Sequence, residues 1–342
     1  MRNIEKSKFF NNLNFLKNKS IMITGGTGSF GEAMVNKLLT FGDLKKIVVF
    51  SRDEYKQFLM KEKFKKNKKF NRLRFFIGDV RDYDRLVMAF RTIDYVIHAA
   101  ALKQIDTAEY NPFEYVRTNI IGAENIVKAS LQCSIKKVIA LSTDKAVNPI
   151  NLYGATKLAA DKVFIAANNY AGNRNSIFSV VRYGNVLDSR GSVISLYKKL
   201  LSEKKELPVT DRKMTRFWIK KQEGVDFSIQ CLKNMEGTEI FVPKIPSMSM
   251  DQLLLIIGNK NKIKKINIRP GEKLHEKLIA KEDTRNTYEG KNYFIILPSW
   301  KIAKYNIKNK RIKKVPENFE YTSDNNKEKI NKKIIKDLFS LS

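Results

Sequence analysis

Near the start of the chain, Thr24-Gly25-Gly26-Thr27-Gly28-Ser29-Phe30-Gly31 separates the apolar run Ser20-Ile21-Met22-Ile23 from an amphipathic stretch, Glu32 to Leu39. The order is strand, glycine-rich turn, helix. Glycines let the backbone turn tightly and approach a pyrophosphate, which rests on the free amides of the helix N-terminus. Both Gly26-x-Gly28-x-x-Gly31 and Gly25-x-x-Gly28-x-x-Gly31 can be read here. Such a turn is weak evidence in isolation. At the head of a βαβ unit it is a dinucleotide-binding fingerprint, and it commits the chain to a parallel α/β fold.

The remaining elements follow that pattern. Lys46 to Phe50, Leu73 to Ile77, Tyr95 to His98, Val138 to Leu141 and Ile177 to Val181 read as buried strands, with amphipathic stretches such as Pro112 to Ala129, which carries Asn119, between them. Alternating β and α elements over this length predict a Rossmann-like doubly wound parallel sheet, class α/β. We expect a short N-terminal extension over residues 1–18 and a nucleotide-binding domain over 19–185. A smaller substrate-binding lobe with some return to the core would take 186–300, and a basic, peripheral C-terminal appendage 301–342. The segment Ile268 to Leu274 is expected to open a further helix.

Ligands in such sheets sit outside the carboxyl ends of the strands, so the strand-end residues carry the chemistry. The second strand ends in Ser51-Arg52-Asp53. Ser51 and Arg52 favour a ribose 2'-phosphate, hence NADP, while Asp53 is the residue type that holds the free 2'-hydroxyl of NAD. Asp79 follows the third strand and could meet the adenine. The fifth strand ends in Thr143-Asp144-Lys145, and after Pro149 come Tyr153 and Lys157, four residues apart on an expected helix. That spacing stacks both on one face, and a neighbouring cation would lower the phenol's pKa. Tyr-x-x-x-Lys pairs are usually surface decoration. This one gains meaning from its place downstream of a Ser-Thr strand end and within reach of a dinucleotide turn.

The formal charge of +30 raises the question of nucleic acid. The lysines are spread along the chain, however, and the local clusters at 61–69 and 301–314 have no interleaved aromatics to form a stacking platform. We read a solvated surface that favours an anionic nucleotide substrate, with no nucleic-acid partner. No apolar run approaches the roughly 18 residues of a membrane span, and Met1 to Ser20 lacks the apolar core of a signal peptide. Two cysteines far apart suit a reducing compartment, so we expect a cytoplasmic protein; two histidines nearly exclude a His/Cys metal cluster, so no metal is expected.

With these motifs in place the chain resembles the extended short-chain dehydrogenase/reductase family. Thr143-Asp144-Lys145, Ala99-Ala100-Ala101-Leu102-Lys103, Met214-Thr215-Arg216-Phe217-Trp218 and Arg269-Pro270-Gly271-Glu272-Lys273-Leu274-His275-Glu276 resemble one branch more closely, the inverting UDP-N-acetylglucosamine 4,6-dehydratases. The similarity runs from about Lys19 to Pro298. Where that branch usually has Lys-His-Val-Pro, this chain has Lys103-Gln104-Ile105-Asp106, and Asp188 stands where a glycine is usual.

The resemblance implies NADP as resident cofactor, held by Gly25, Thr27, Gly28, Ser29, Phe30, Gly31, Ser51, Arg52, Asp53, Lys56, Asp79, Val80, Ala99 and Ala100 with Tyr153 and Lys157. It implies Tyr153 as base at the sugar C4 hydroxyl, assisted by Lys157 and hydrogen-bonded by Thr143. Asp144 would be the acid for the departing water and Lys145 the base at C5, its pKa depressed by desolvation and by Lys157. A UDP-sugar would be held by Lys103, Asn185, Val193, Thr210, Arg216, Arg269 and Glu272. A homo-oligomer built from dimers, up to a hexamer, is also implied, with a product that opens pseudaminic acid synthesis for flagellin glycosylation. The alternatives are a related dehydratase-epimerase of capsule or O-antigen L-sugar synthesis, a nucleotide-sugar 4-epimerase, or a non-catalytic protein that keeps the fold.

Overall fold

The computed structural model describes residues 8–9, 13–41, 43–172, 176–187, 189, 191–257, 263–305, 307–308 and 311–340. Asp188 lies outside them, as does most of the N-terminal extension.

Six strands form the parallel core: β1 (Ser20–Thr24), β2 (Lys46–Ser51), β3 (Leu73–Ile77), β4 (Tyr95–His98), β5 (Lys137–Thr143) and β6 (Ile177–Tyr183). They lie in the order β3-β2-β1-β4-β5-β6, so the order reverses between β1 and β4. In-register pairs such as Ile23 with Val49 and Ile23 with Ile97 set the central ladder. Ile21, Met22, Val48, Val96, Ile97, Val138, Ile139 and Val180 are all fully buried. Strands covered by helices on both faces bury both rows of side chains, which explains their unbroken apolar runs.

Beyond β6 the sheet continues with Ile240–Pro243, which is parallel, and then with antiparallel Tyr293–Ile296, Thr287–Glu289 and Lys313–Lys314. The sheet therefore has ten strands and is mixed at one edge.

The helices that accompany these strands are α1 (Ser29–Thr40), α2 (Glu54–Phe64), α3 (Tyr83–Phe90), α4 (Ile105–Tyr110), α5 (Pro112–Tyr115), α6 (Gly122–Gln132) and α7 (Leu152–Tyr170). The long helix expected over Pro112 to Ala129 is interrupted by a π turn, Val116–Ile121. That turn aims Asn119 inward. Its side chain pairs with both backbone groups of Leu102 at 2.9 Å and donates to Thr156 Oγ1 at 3.0 Å. The loop after β4 is thereby tied to α7.

A second apolar cluster, with Trp218, Tyr197, Leu253 and Ile335 at its centre, underlies the smaller lobe. The segment from Ile268 to Leu274 is not helical: Gly271 takes φ +75° in a turn. The residues expected as a peripheral appendage are integral. Tyr305, Ile312, Val315 and Tyr321 enter the main core, Tyr321–Thr322 pairs with Lys277–Ile279, and Ile335 on the last helix, Lys332–Ser340, is fully buried. At the other end Phe9 is buried with its ring 4.9 Å from that of Phe227.

Candidate active site

Along the carboxyl edge of β1 to β6 runs a cavity of about 760 Å³. Of the residues expected at the site, all line it except Asp144, which is fully buried beneath its wall. The wall extends over the expected cofactor set from Gly25 to Ala100, over Lys103, Thr143, Lys145, Tyr153 and Lys157, and on to Asn185, Val193, Thr210, Arg216, Arg269 and Glu272.

The glycine-rich turn fits a dinucleotide. Gly25 has φ +64°, and a Cβ there would lie 2.8 Å from the backbone of Ala100. Gly28, the N-cap of helix α1, brings no side-chain cap, and the helix N-terminus, with its positive end of the dipole, faces the cavity. At the end of β2, Asp53 is occupied as the N-cap of α2. Its Oδ1 accepts from the Lys56 amide at 2.9 Å, and its Oδ2 lies 2.7 Å from Lys56 Nζ. Arg52, half exposed, lies 3.7 Å from the Asp79 carboxylate. Hydrogen bonds and the charges of Arg81 and Arg52 hold Asp79 below the usual aspartate range although burial opposes them.

At the end of β5 the chain makes one 3-10 turn over Asp144–Ala146, with Thr143 as its cap. Helix α7 then begins at an Asn151 cap, whose Oδ1 accepts from the Gly154 amide at 2.7 Å and whose Nδ2 donates to the Gly271 carbonyl at 2.8 Å. Gly154 is what lets the helix come so close. A Cβ there would sit 2.2 Å from the carbonyl oxygen of Lys145.

Within this corner the polar atoms form one connected set. Thr143 Oγ1 donates to Asp144 Oδ1 at 2.9 Å. Lys145 Nζ donates to the same Oδ1 at 2.9 Å and to Asn185 Oδ1 at 3.3 Å, and it lies 3.4 Å from Glu276 Oε1. Glu276 also lies 4.0 Å from Arg216 Nε, and Arg216 is 3.6 Å from Glu272. One turn along α7 from Tyr153, Lys157 Nζ donates to the Leu141 carbonyl at 2.8 Å. Asp161, a further turn on, accepts from Ser142 at 2.8 Å and from Arg182 at 3.3 Å.

Two expectations about ionisation are corrected here. The Lys145 pKa is not depressed: burial opposes its charge, but the carboxylates of Asp144 and Glu276 outweigh that and lift it above the ordinary lysine value. Nor is the Tyr153 phenol acidified. Burial pushes it up to about 12, against the opposing pull of Lys145 and the Thr143 hydrogen bond. The cation acting most on that phenol is thus Lys145. Burial lowers the Lys157 pKa, with Asp161 pulling it back. Glu276, Gln104 and Asp106 belong to the cavity wall and were given no role by sequence. Only the motif around Arg269 placed Glu276 near the others.

A doubly wound sheet with a glycine-rich turn shaped for a dinucleotide at the end of its first strand, and a Tyr-Lys helix beside the same cavity, defines an extended short-chain dehydrogenase/reductase. Comparison with known proteins narrows this. The profile of a family described as polysaccharide biosynthesis protein matches residues 21–298, and the chain belongs to that family. It is 50% identical over 329 residues to a UDP-N-acetylglucosamine 4,6-dehydratase (inverting) of Campylobacter jejuni, covering 94% of this chain and 97% of that protein. It is 41% identical to a UDP-glucose 4-epimerase of Rickettsia akari, over 90% of this chain and 92% of the other. Among solved structures, Pen from Bacillus thuringiensis superposes with a TM-score of 0.87 at 36% identity, covering 96% of this chain and 98% of that one.

Proposed function

We propose that this protein is a hydro-lyase that uses NADP to carry out 4,6-dehydration of UDP-N-acetylglucosamine with inversion at C5. The product would be UDP-2-acetamido-2,6-dideoxy-β-L-arabino-hex-4-ulose. The observation that carries the reading is the 2.9 Å contact of Asp144, beneath the cavity wall, with Lys145, which lines the cavity together with Tyr153. The 50% identity to the Campylobacter dehydratase supports it. NADP rather than NAD is favoured because Asp53 is taken up in capping α2 and pairing with Lys56, while Arg52, just after β2, and Lys56, in the first turn of α2, line the cavity as cations for a 2'-phosphate.

The C6 hydroxyl of a hexose leaves poorly and the C5 proton is barely acidic until C4 becomes a ketone. When bound, NADP supplies the hydride acceptor for C4, the hydride donor for C6 and a positive ring charge that favours phenolate. Tyr153 takes the C4 hydroxyl proton, with Thr143 and Lys145 supporting its ionised form. A proton shift along the Asp144–Lys145 hydrogen bond turns carboxylate and ammonium into carboxylic acid and amine. Lys145 then removes the C5 proton, whose bonding pair becomes the C5–C6 double bond. Asp144, buried beneath the cavity wall, has to turn into the cavity to give its proton to the departing C6 oxygen, which leaves as water, and the ion pair is restored. A proton returned to C5 after reduction at C6 completes the cycle. Arg216, Arg269 and Lys103 are suited to the diphosphate.

We further infer that the ketosugar enters pseudaminic acid synthesis for flagellin glycosylation, or an L-sugar of capsule or O-antigen, in a cytoplasmic homo-oligomer. The likeness to the Rickettsia epimerase favours one second reading, a 4-epimerase, in which Asp144 and Lys145 would be idle. Proton NMR of the protein with UDP-N-acetylglucosamine in deuterated water separates these. A C6 methyl signal with deuterium at C5 and L-arabino geometry is expected. D-xylo geometry would remove the inversion, and the GalNAc epimer without a methyl signal would establish the epimerase.

A further inference from the structure

Glu276 has no part in the reaction described above, yet it is only 3% exposed. Its Oε1 lies 3.4 Å from Lys145 Nζ and 4.0 Å from Arg216 Nε, while Oε2 is buried without a hydrogen-bond partner among the described residues. A carboxylate so buried and so poor in hydrogen bonds is costly unless nearby cations compensate it. Its backbone is held from the far end of the chain. The Glu276 amide donates to Ser323 Oγ at 2.9 Å, and the Ser323 amide donates to the Glu276 carbonyl at 2.9 Å. Ser323 Oγ in turn meets Thr215 Oγ1 at 2.7 Å and donates to the Thr215 carbonyl at 3.1 Å.

We propose that Glu276 is a positioning residue that holds the Lys145 ammonium together with Asp144, and that Ser323 fixes it there. The proposal deepens the dehydratase reading and rests on it for its catalytic consequence. With carboxylates at 2.9 Å and 3.4 Å, the Lys145 ammonium is held in one place and retains its proton until Asp144 and substrate are set. The other charged and titratable groups near Lys145 are Arg216 and Tyr153, together with Lys103 and Lys273, which oppose its charge or feel it. Asp144 and Glu276 are the two acids that pull the other way.

The test uses full-length protein with Glu276→Gln, Glu276→Asp and Ser323→Ala. Trace acetylation of Lys145 against pH, read by peptide mass spectrometry, reports its titration without any turnover. The kcat profile against pH reports the catalytic consequence. Removing one negative charge this close lowers a lysine pKa, so Glu276→Gln should move the Lys145 titration down by about one pH unit. The alkaline limb of kcat, where the Asp144–Lys145 pair loses the proton that the departing water needs, should move with it, and kcat at its optimum should fall about tenfold or more for loss of positioning. Glu276→Asp should recover part of the shift, and Ser323→Ala should reproduce part of it. An unchanged Lys145 titration in Glu276→Gln would overturn the proposal, and an unchanged one in Ser323→Ala would remove the clamp. If the wild-type protein forms no methyl sugar, the dehydratase reading fails, and the acetylation profiles still decide whether Glu276 sets Lys145.

Discussion

Lys145 and Tyr153 both have pKa values displaced in the direction that opposes their use as bases, and the causes differ. Lys145 is lifted by two carboxylates, Tyr153 by burial. The Asp144 hydrogen bond resolves the first, because the proton can move within it. Lys145→Met should therefore lower methyl formation and deuterium uptake at C5 by about 10²- to 10⁴-fold, while affinity for the nicotinamide cofactor by fluorescence titration stays at the wild-type value. His98 gives a separate signal. Its Nδ1 lies 2.8 Å from Thr24 Oγ1, and full burial followed by the charge of Lys157 depresses its pKa to about 3. The unfolded chain takes up this proton near pH 6.5, whereas the folded protein does so only near pH 3. The unfolded state thus binds more protons in that window, and stability is lost as pH falls through it. We expect His98→Gln to flatten the dependence of unfolding free energy on pH between 3 and 6.5 by up to about 1.4 kcal/mol per pH unit, measured by urea titration.

At the scale of elements, α7 is the part whose placement matters most. It carries Tyr153 and Lys157, its Asn151 cap reaches the Gly271 turn, and Gly154 lets it rest on the backbone of Lys145. A methyl group at position 154 cannot be accommodated without moving the helix or the 3-10 turn. Gly154→Ala is expected to cost about 1–3 kcal/mol in thermal unfolding, in line with overpacking elsewhere. Its effect on kcat should be larger, about 100-fold, because a shift of about 1 Å between Tyr153 and Lys145 is enough to misalign the reacting groups. The π turn in the helix after Pro112 is a related device. A regular α-helical periodicity, which is all that Pro112 to Ala129 displays, gives no sign of it. Asn119 in that turn ties α7 to the loop after β4.

For the whole molecule, the C-terminal residues decide more than their composition suggests. Tyr321 and Ile335 are buried and Ser323 holds Glu276. Removal of residues 321–342 should cost about 5 kcal/mol or more, comparable to the full stability of many domains, and leave a protein without a cooperative melt by circular dichroism. Lysines on their outer face hide this role in the sequence, since a segment docked by a few apolar side chains has little periodic pattern. The sequence by itself determined what depends on neighbours along the chain. That covers the glycine turn at α1, the six parallel strands with their apolar runs, and the gathering of Thr143, Asp144, Lys145, Tyr153 and Lys157 at one sheet edge. Backbone preference and side-chain period act over a few residues, and parallel topology places every strand end on the same side. Only the tertiary structure decided that Glu276 lies against Lys145, that Asp53 is a helix cap, that the segment after Ile268 is a turn, and which groups hold their protons. Those outcomes depend on desolvation and on charges brought together from distant parts of the chain, and neither quantity exists until the chain has folded.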